Sequence, residues 1–288
     1  MDKKILKGIL FAVILIFVLI SFLYKEREYE KKEKKHIYER IVSLSCTTEI
    51  LCALGAEDKI VAISDIDKES PYYEILKDKP RCGGGIRNVN VEKVLGFKPD
   101  LVFCWRGQAD ILRERGLNVY AVGTYDLEGV MGLIMDVGRL VGKEREARRI
   151  VSFMREEIKR ISERLKKVKN RPLVYFEAHT LGKTRGKGSL THDLITRAGG
   201  INIAKDEVVP FPLLSQEFII TKNPDVIIVE EYGASPEEVK KRDGWQNIKA
   251  IVNNRVYRSH VYFTSYTHRC IEGLKQFAKW FHPELFKE

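Results

Sequence analysis

One segment of this chain occurs twice, and the repeat limits the folds open to it. Asn90-Val-Glu92-Lys-Val-Leu-Gly-Phe-Lys-Pro99-Asp100-Leu-Val-Phe is echoed by Ser215-Gln-Glu217-Phe-Ile-Ile-Thr-Lys-Asn-Pro224-Asp225-Val-Ile-Ile. In each copy a helix-capping residue is followed two positions later by Glu. Pro-Asp comes seven positions after that Glu, ahead of an apolar run. A repeat inside one chain predicts two lobes built on one plan. It also puts a carboxylate, Glu92 or Glu217, at the same place on each lobe. Glu in a first helical turn suits the helix dipole without any further role. That accounts for each residue singly, and less well for the matched pair.

The remaining pattern agrees with two lobes. Short apolar runs at Arg40–Ser45, Lys59–Ser64, Asp100–Cys104 and Asn118–Val122 alternate with helical stretches at Glu49–Leu54, Val91–Gly96 and Ala109–Arg115. This predicts a parallel sheet covered by helices on both faces. Thr47 or Thr48 is placed to cap the first helix, and Gly55 to stop it. Asp126–Val141 has helical spacing, and Lys143–Lys169 continues it as one charged amphipathic helix of about 25 residues, about 38 Å long. Asn170 and Pro172 end that helix. Strands are then expected at Leu173–Ala178, Asp225–Glu230 and Arg255–Arg258, with helices at Leu190–Ala198 and His268–Phe281. The expected fold class is α/β: two Rossmann-like lobes, residues 39–125 and 171–288, joined through a helical region, residues 126–170, that contains one long linking helix.

Gly8–Tyr24 is an unbroken uncharged run. With Ile5 and Leu6 it approaches the ~20 residues that span a bilayer as a helix. No small-residue cleavage site is evident, and no cysteine follows the run to carry a lipid. Residues 1–24 are therefore expected to be an uncleaved membrane anchor, preferred over a cleaved secretory signal, with residues 25–38 a charged tether. Lys25–Lys35 holds six Lys and Arg against three before the run. Charge counting alone would leave the body in the cytoplasm; the nature of the body, below, outweighs it.

The formal charge is +10, but much of it lies in Lys25–Lys35 and Lys143–Arg171, both interleaved with Glu. That reads as solvated helical surface, and with no nucleic-acid motif in the chain, no nucleic-acid partner is expected. The five cysteines, Cys46, Cys52, Cys82, Cys104 and Cys270, form no CxxC pair. They look like buried small hydrophobes, although a Cys46–Cys82 disulfide is open. The six histidines lack the spacing of a bare Zn²⁺ or Mn²⁺ site. Gly182–Ser189 fails phosphate-loop spacing, and no hydrolase or metalloprotease motif occurs.

From Arg40 to the C-terminus the chain resembles the helical-backbone class of ABC-importer binding proteins, which handles cobalamin, haem and ferric siderophores. The resemblance rests on Arg40-Ile-Val-Ser-Leu-Ser, Thr48-Glu49-Ile-Leu, Ala53-Leu-Gly55, Gly83-Gly84-Gly85, Asn90-Val-Glu92, Lys98-Pro99-Asp100-Leu-Val, Gly186-Lys187-Gly188-Ser189 and Ala198-Gly199-Gly200-Ile-Asn202-Ile, in that order. It implies a carrier with no cofactor and no catalytic residues. Its domain would face outside on a single-pass anchor in the cell membrane, and its partners would be a permease dimer and a cytoplasmic ATPase. Glu92 and Glu217 match the glutamates that dock on permease arginines in this class.

Open α/β sheets bind ligands at the C-terminal ends of their strands. The ligand-contacting residues expected there are Cys46, Gly84, Arg87, Trp105, Arg106, Tyr125, His179, Arg185, Phe211 and Tyr262. Trp105-Arg106-Gly107 and Phe211 resemble the cobalamin-binding members. Val261 and Ser265, however, stand where those members carry an acid and an arginine, which puts cobalamin itself in question but not a smaller corrinoid. The favoured ligand is thus a cobalt or iron chelate, a corrinoid first, with His179 a candidate axial ligand. Arg87, Arg106, Lys183, Arg185 and Lys187 would instead suit a ferric siderophore or haem. A membrane-attached sensor or scaffold with no transport role is the alternative of another class.

Overall fold

A computed structural model of the chain describes residues 36–83 and 89–286. The expected anchor, and Gly84 and Arg87, lie outside these residues. Among the described residues no helix is long and apolar enough to cross a membrane.

Eight strands form two parallel four-stranded sheets: β1 Ile41–Ser43, β2 Ile60–Ile63, β3 Leu101–Trp105, β4 Val119–Val122, β5 Leu173–Glu177, β6 Ile201–Asn202, β7 Val226–Glu230 and β8 Val256–Ser259. The first sheet runs β2-β1-β3-β4 and the second β6-β5-β7-β8, the same order in each half. The repeat read in the sequence is therefore a repeat of topology.

Its parts have matching jobs. The Asn90 side chain accepts from Lys93 N–H and caps the helix Val91–Gly96. The Ser215 hydroxyl accepts from Phe218 N–H and caps Gln216–Lys222. The Asp100 carboxylate accepts from Glu39 N–H and Arg40 N–H, at 2.8 and 3.0 Å, at the start of β1. The Asp225 carboxylate accepts from Leu173 N–H, at 2.8 Å, at the start of β5. Each Pro-Asp thus ties its lobe's third strand to its first. Lys98 and Asn223, just before the two prolines, share a φ of 47°.

Strand residues alternate between two cores, as the period-two geometry of strands requires. Ile41, Leu101 and Phe103 join Val174, Phe176, Val226 and Ile228 in one core that runs through both lobes and includes Val137, Met154 and Phe277 from the helices between and beside them. The opposite faces have private cores, Val42, Val102 and Cys104 in the first lobe and Tyr175, Ile227 and Trp245 in the second. Both faces of both sheets are buried, which is why the strands read as continuous apolar runs.

Two expectations are corrected. The helical region is a hairpin of two helices, Leu127–Leu140 and Glu144–Leu165. Gly142, at φ 73°, turns the chain between them. A Cβ on Gly138 would come within 2.5 Å of the Ala147 Cβ, so the two helices meet closely there. The second helix has 22 residues. Neither Thr47 nor Thr48 caps the first helix, which is Thr47–Ala53 with Cys46 at its N-cap. The hydroxyls of Ser43, Ser45, Thr47 and Thr48 bond to one another instead, at 2.8 to 3.0 Å. The strand β6 and the short helices Tyr73–Leu76 and Lys249–Val252 carried no clear sequence signal, whereas Pro236–Lys240, not anticipated, opens on a capping box of Ser235 and Glu238 with Pro236 at its first position. All five cysteines are free.

Candidate functional site

The C-terminal ends of the central strands open on a cavity of about 610 Å³ between the lobes. Cys46 follows β1 and Trp105 ends β3; His179 follows β5, Glu230 ends β7 and Val261 follows β8, and all five line it.

The aromatic lining is shared between the lobes, with Trp105 from the first and Tyr266 and Phe211 from the second. Gln108 accepts from Trp105 N–H at 3.1 Å and fixes the turn after β3. The Trp105 ring meets Tyr266 of the second lobe edge-on, with centroids 6.2 Å apart. Tyr266 in turn meets Tyr125 at 5.8 Å and 89°. Tyr125 therefore stands behind the cavity wall and is not part of its lining.

The second lobe supplies charge. A turn after β5 folds Lys183 and Arg185 back to the cavity, with Ala178 N–H donating to Lys183 C=O at 2.8 Å. Gly182 makes that turn possible: its φ is +79°, and a Cβ there would lie 2.3 Å from the Leu214 carbonyl oxygen. Arg185 stacks over Phe211, its guanidinium carbon 5.4 Å from the ring centroid. It also donates to the buried Glu230 carboxylate at 3.3 Å. His179 Nδ1 lies 3.8 Å from Glu230 on the other side, with the ring about half exposed. Ser189 caps Leu190–Arg197, whose first residues Leu190 and Thr191 reach the cavity. A helix N-terminus adds partial positive charge. Two cations and this dipole face one carboxylate, so the cavity favours an anionic or electron-rich ligand.

Of the expected ligand residues, Cys46, Trp105, His179, Arg185 and Phe211 share this cavity, and Arg106, Tyr125 and Tyr262 do not. Burial raises the Cys46 thiol's pKa, so Cys46 contributes a neutral surface. Arg106 is exposed and lies beside Gly123. Tyr262 is covered by the Arg269 guanidinium at 3.5 Å. Glu230 was not anticipated. Its signal was present, since it closes an apolar strand run at the same kind of position as His179. Val261 and Ser265 do line the cavity.

Glu92 and Glu217 occupy the first turns of their helices and are solvent-exposed. Glu92 pairs with Arg115 at 2.8 Å. The Glu217 carboxyl is held below the usual carboxylate range by its own backbone N–H and the Ser215 hydroxyl.

The lobes also meet beside the cavity. Tyr72 of the first lobe and His268 of the second share a hydrogen bond of 3.4 Å. His268 Nδ1 is buried without a partner. Burial, assisted by the neighbouring Arg269, pushes the His268 pKa down from 6.5 to about 4. The unfolded chain therefore binds the proton more readily, so stability is full above pH ~6.5 and falls as pH drops towards ~4. A difference of that size corresponds to about 3 kcal/mol. Burial lowers His192 and His282 in the same direction. Urea melts between pH 7 and 4.5 should show a smaller acid loss in His268→Leu than in the parent. Parallel pH curves would assign the loss to other groups.

Two parallel α/β lobes with a lined cavity at their facing strand ends define a two-lobed small-molecule-binding protein. Residues 41–261 match the family model of the periplasmic binding protein. The chain is 31% identical over 271 residues to YvrC of Bacillus subtilis (strain 168), an ABC transporter substrate-binding lipoprotein, covering 90% of this chain and 83% of that one. It is 28% identical to the vitamin B12-binding protein of Salmonella typhi, over 74% and 79% of the two chains. Among solved structures, CeuE of Helicobacter pylori superposes with a TM-score of 0.77 at 23% identity, over 86% and 84% of the chains. The haem-binding protein RhuT from Roseiflexus does so with a TM-score of 0.74 at 24% identity, over 86% and 99%. The chain belongs to the periplasmic binding protein family, whose members are solute-binding transport components and not enzymes.

Proposed function

We propose that this protein is the extracytoplasmic solute-binding component of an ABC importer and captures a metal chelate, a corrinoid first, between its lobes. The observation that carries this reading is a cavity with aromatic side chains from both lobes, Trp105, Phe211 and Tyr266, and a cationic pair, Lys183 and Arg185, from the second. A planar macrocycle fits aromatic walls, and Trp105 and Phe211, the two residues that resemble cobalamin-binding members, line the same space. The relationship to a vitamin B12-binding protein supports the same choice. Val261 and Ser265 supply neither acid nor base to the cavity, which favours a smaller corrinoid such as cobinamide over cobalamin. In this reading His179 approaches the chelate's metal axially. Lys183 and Arg185 support a second reading, an anionic ferric chelate or haem, because carboxylate-bearing ligands pair with such cations. The substrate-binding lipoprotein among its relatives supports a membrane-associated protein facing outside.

Thermal melts of the full chain with cobinamide, cobalamin, haem and several ferric chelates test these readings. A ligand at 100 times its Kd adds about 2.7 kcal/mol of stability. Cobinamide is expected to give the largest shift. A shift with haem or ferric chelates alone would replace the corrinoid reading by the second one. No shift with any of them would remove the chelate class.

A further inference from the structure

A further structural feature that spans the lobes is a set of metal-ligating side chains at the edge of the interlobe contact. Glu69 comes from the loop after β2, Glu231 directly follows β7, and His260 directly follows β8. One ligand atom from each lies within 4.8 Å of the other two. Sequence separation hid this set, since Glu69 stands far from the other two in the chain.

The geometry points to a divalent transition-metal site, of the Zn²⁺ class, that bridges the two lobes through Glu69, Glu231 and His260. Two oxygens and one imidazole nitrogen form a donor set that such cations accept, with solvent completing the sphere. Two of the donors are already oriented. The His260 ring stacks on Tyr262 at 5.1 Å and 12°, and its Nδ1 lies 3.3 Å from Glu231 Oε1. Glu231 Oε2 accepts from Val261 N–H at 3.0 Å. A separate observation concerns charge. Among the described residues no Lys or Arg forms an ion pair with either Glu69 or Glu231, although they face each other across the lobe boundary. Asp67 lies beside them, its charge satisfied by the Tyr232 hydroxyl at 2.5 Å across the same boundary and by the nearby Arg269, so the unbalanced pair is Glu69 and Glu231. Like charges so placed repel, and a dication between them turns that repulsion into attraction. The site lies outside the residues that line the ligand cavity, and it serves to hold the lobes together at one edge.

The test is equilibrium dialysis of the full chain against Zn²⁺, beside His260→Ala, Glu231→Gln and Glu69→Gln. These exposed or half-exposed positions leave the core intact, and circular dichroism confirms folding of each variant. The parent should bind one Zn²⁺ that each variant holds at least about tenfold more weakly. Equal affinity in all four proteins would overturn the site. Weakening in His260→Ala and Glu231→Gln but not in Glu69→Gln would overturn the bridge between lobes. Ca²⁺ binding equal to that of Zn²⁺, unaffected by His260→Ala, would overturn the donor assignment. The chelate melts use other residues, so either proposal can fail without the other.

Discussion

Replacing Glu92 and Glu217 together with alanine should abolish uptake while leaving ligand affinity unchanged. Both side chains are exposed, both stand two positions after a helix cap, and both lie away from the cavity lining. Helices that precede β3 and β7 begin at the strand-end side of each sheet, the side on which the cavity opens. We propose the two carboxylates as matched points, one per lobe, for a permease surface carrying arginines. Glu92 must exchange its partner Arg115 on docking, which costs little because a surface pair contributes about 0–1 kcal/mol. Charge pairs of this kind set register and encounter rate, so the double variant should fail in transport and not in capture. Whole-cell accumulation beside in-vitro ligand melts separates the two. Unchanged uptake would remove the docking role and favour a sensor or scaffold.

Arg242→Met is expected to be the most damaging single substitution for stability. Arg242 donates to both oxygens of Glu177, at 2.7 and 2.6 Å. Glu177 is 1% exposed at the end of β5. It also accepts from the Tyr175 hydroxyl at 2.9 Å. Removing the guanidinium strands a buried carboxylate, which costs about 3–5 kcal/mol. Removing both partners with Glu177→Met and Arg242→Met should recover most of that loss, because the uncompensated charge goes with it. Urea unfolding of the two variants measures the difference. A double variant as unstable as the single would mean that the packing of Arg242 over Trp245, at 4.8 Å, matters more than its charge.

Most of the chain's architecture could be read from its sequence because buried parallel strands are written as short apolar runs with punctuation. Val91–Gly96 and the strands beginning near Leu173 and Asp225 were legible for that reason. The break at Gly142 was legible, since the helical spacing ends at Val141 and resumes at Lys143; that the chain folds back there as a hairpin was not. The cavity lining was legible as far as strand ends could be counted, which gave Cys46, Trp105 and His179. Glu230 carried the same strand-end signal and was passed over because a strand-end carboxylate looks like an ordinary surface residue. Tyr125 and Tyr262 lie off the cavity lining because aromatic residues near a cleft can brace a wall as readily as form it. The Glu69–Glu231–His260 set depends on long-range convergence, which spacing does not encode.

The five free cysteines bear on what holds this fold together. Burial raises the pKa of each of the five thiols. They stay protonated, and protonated thiols are poor nucleophiles and poor targets for oxidation. No covalent bond in this fold is made or broken by the redox poise of its surroundings. The native state therefore holds together without a disulfide.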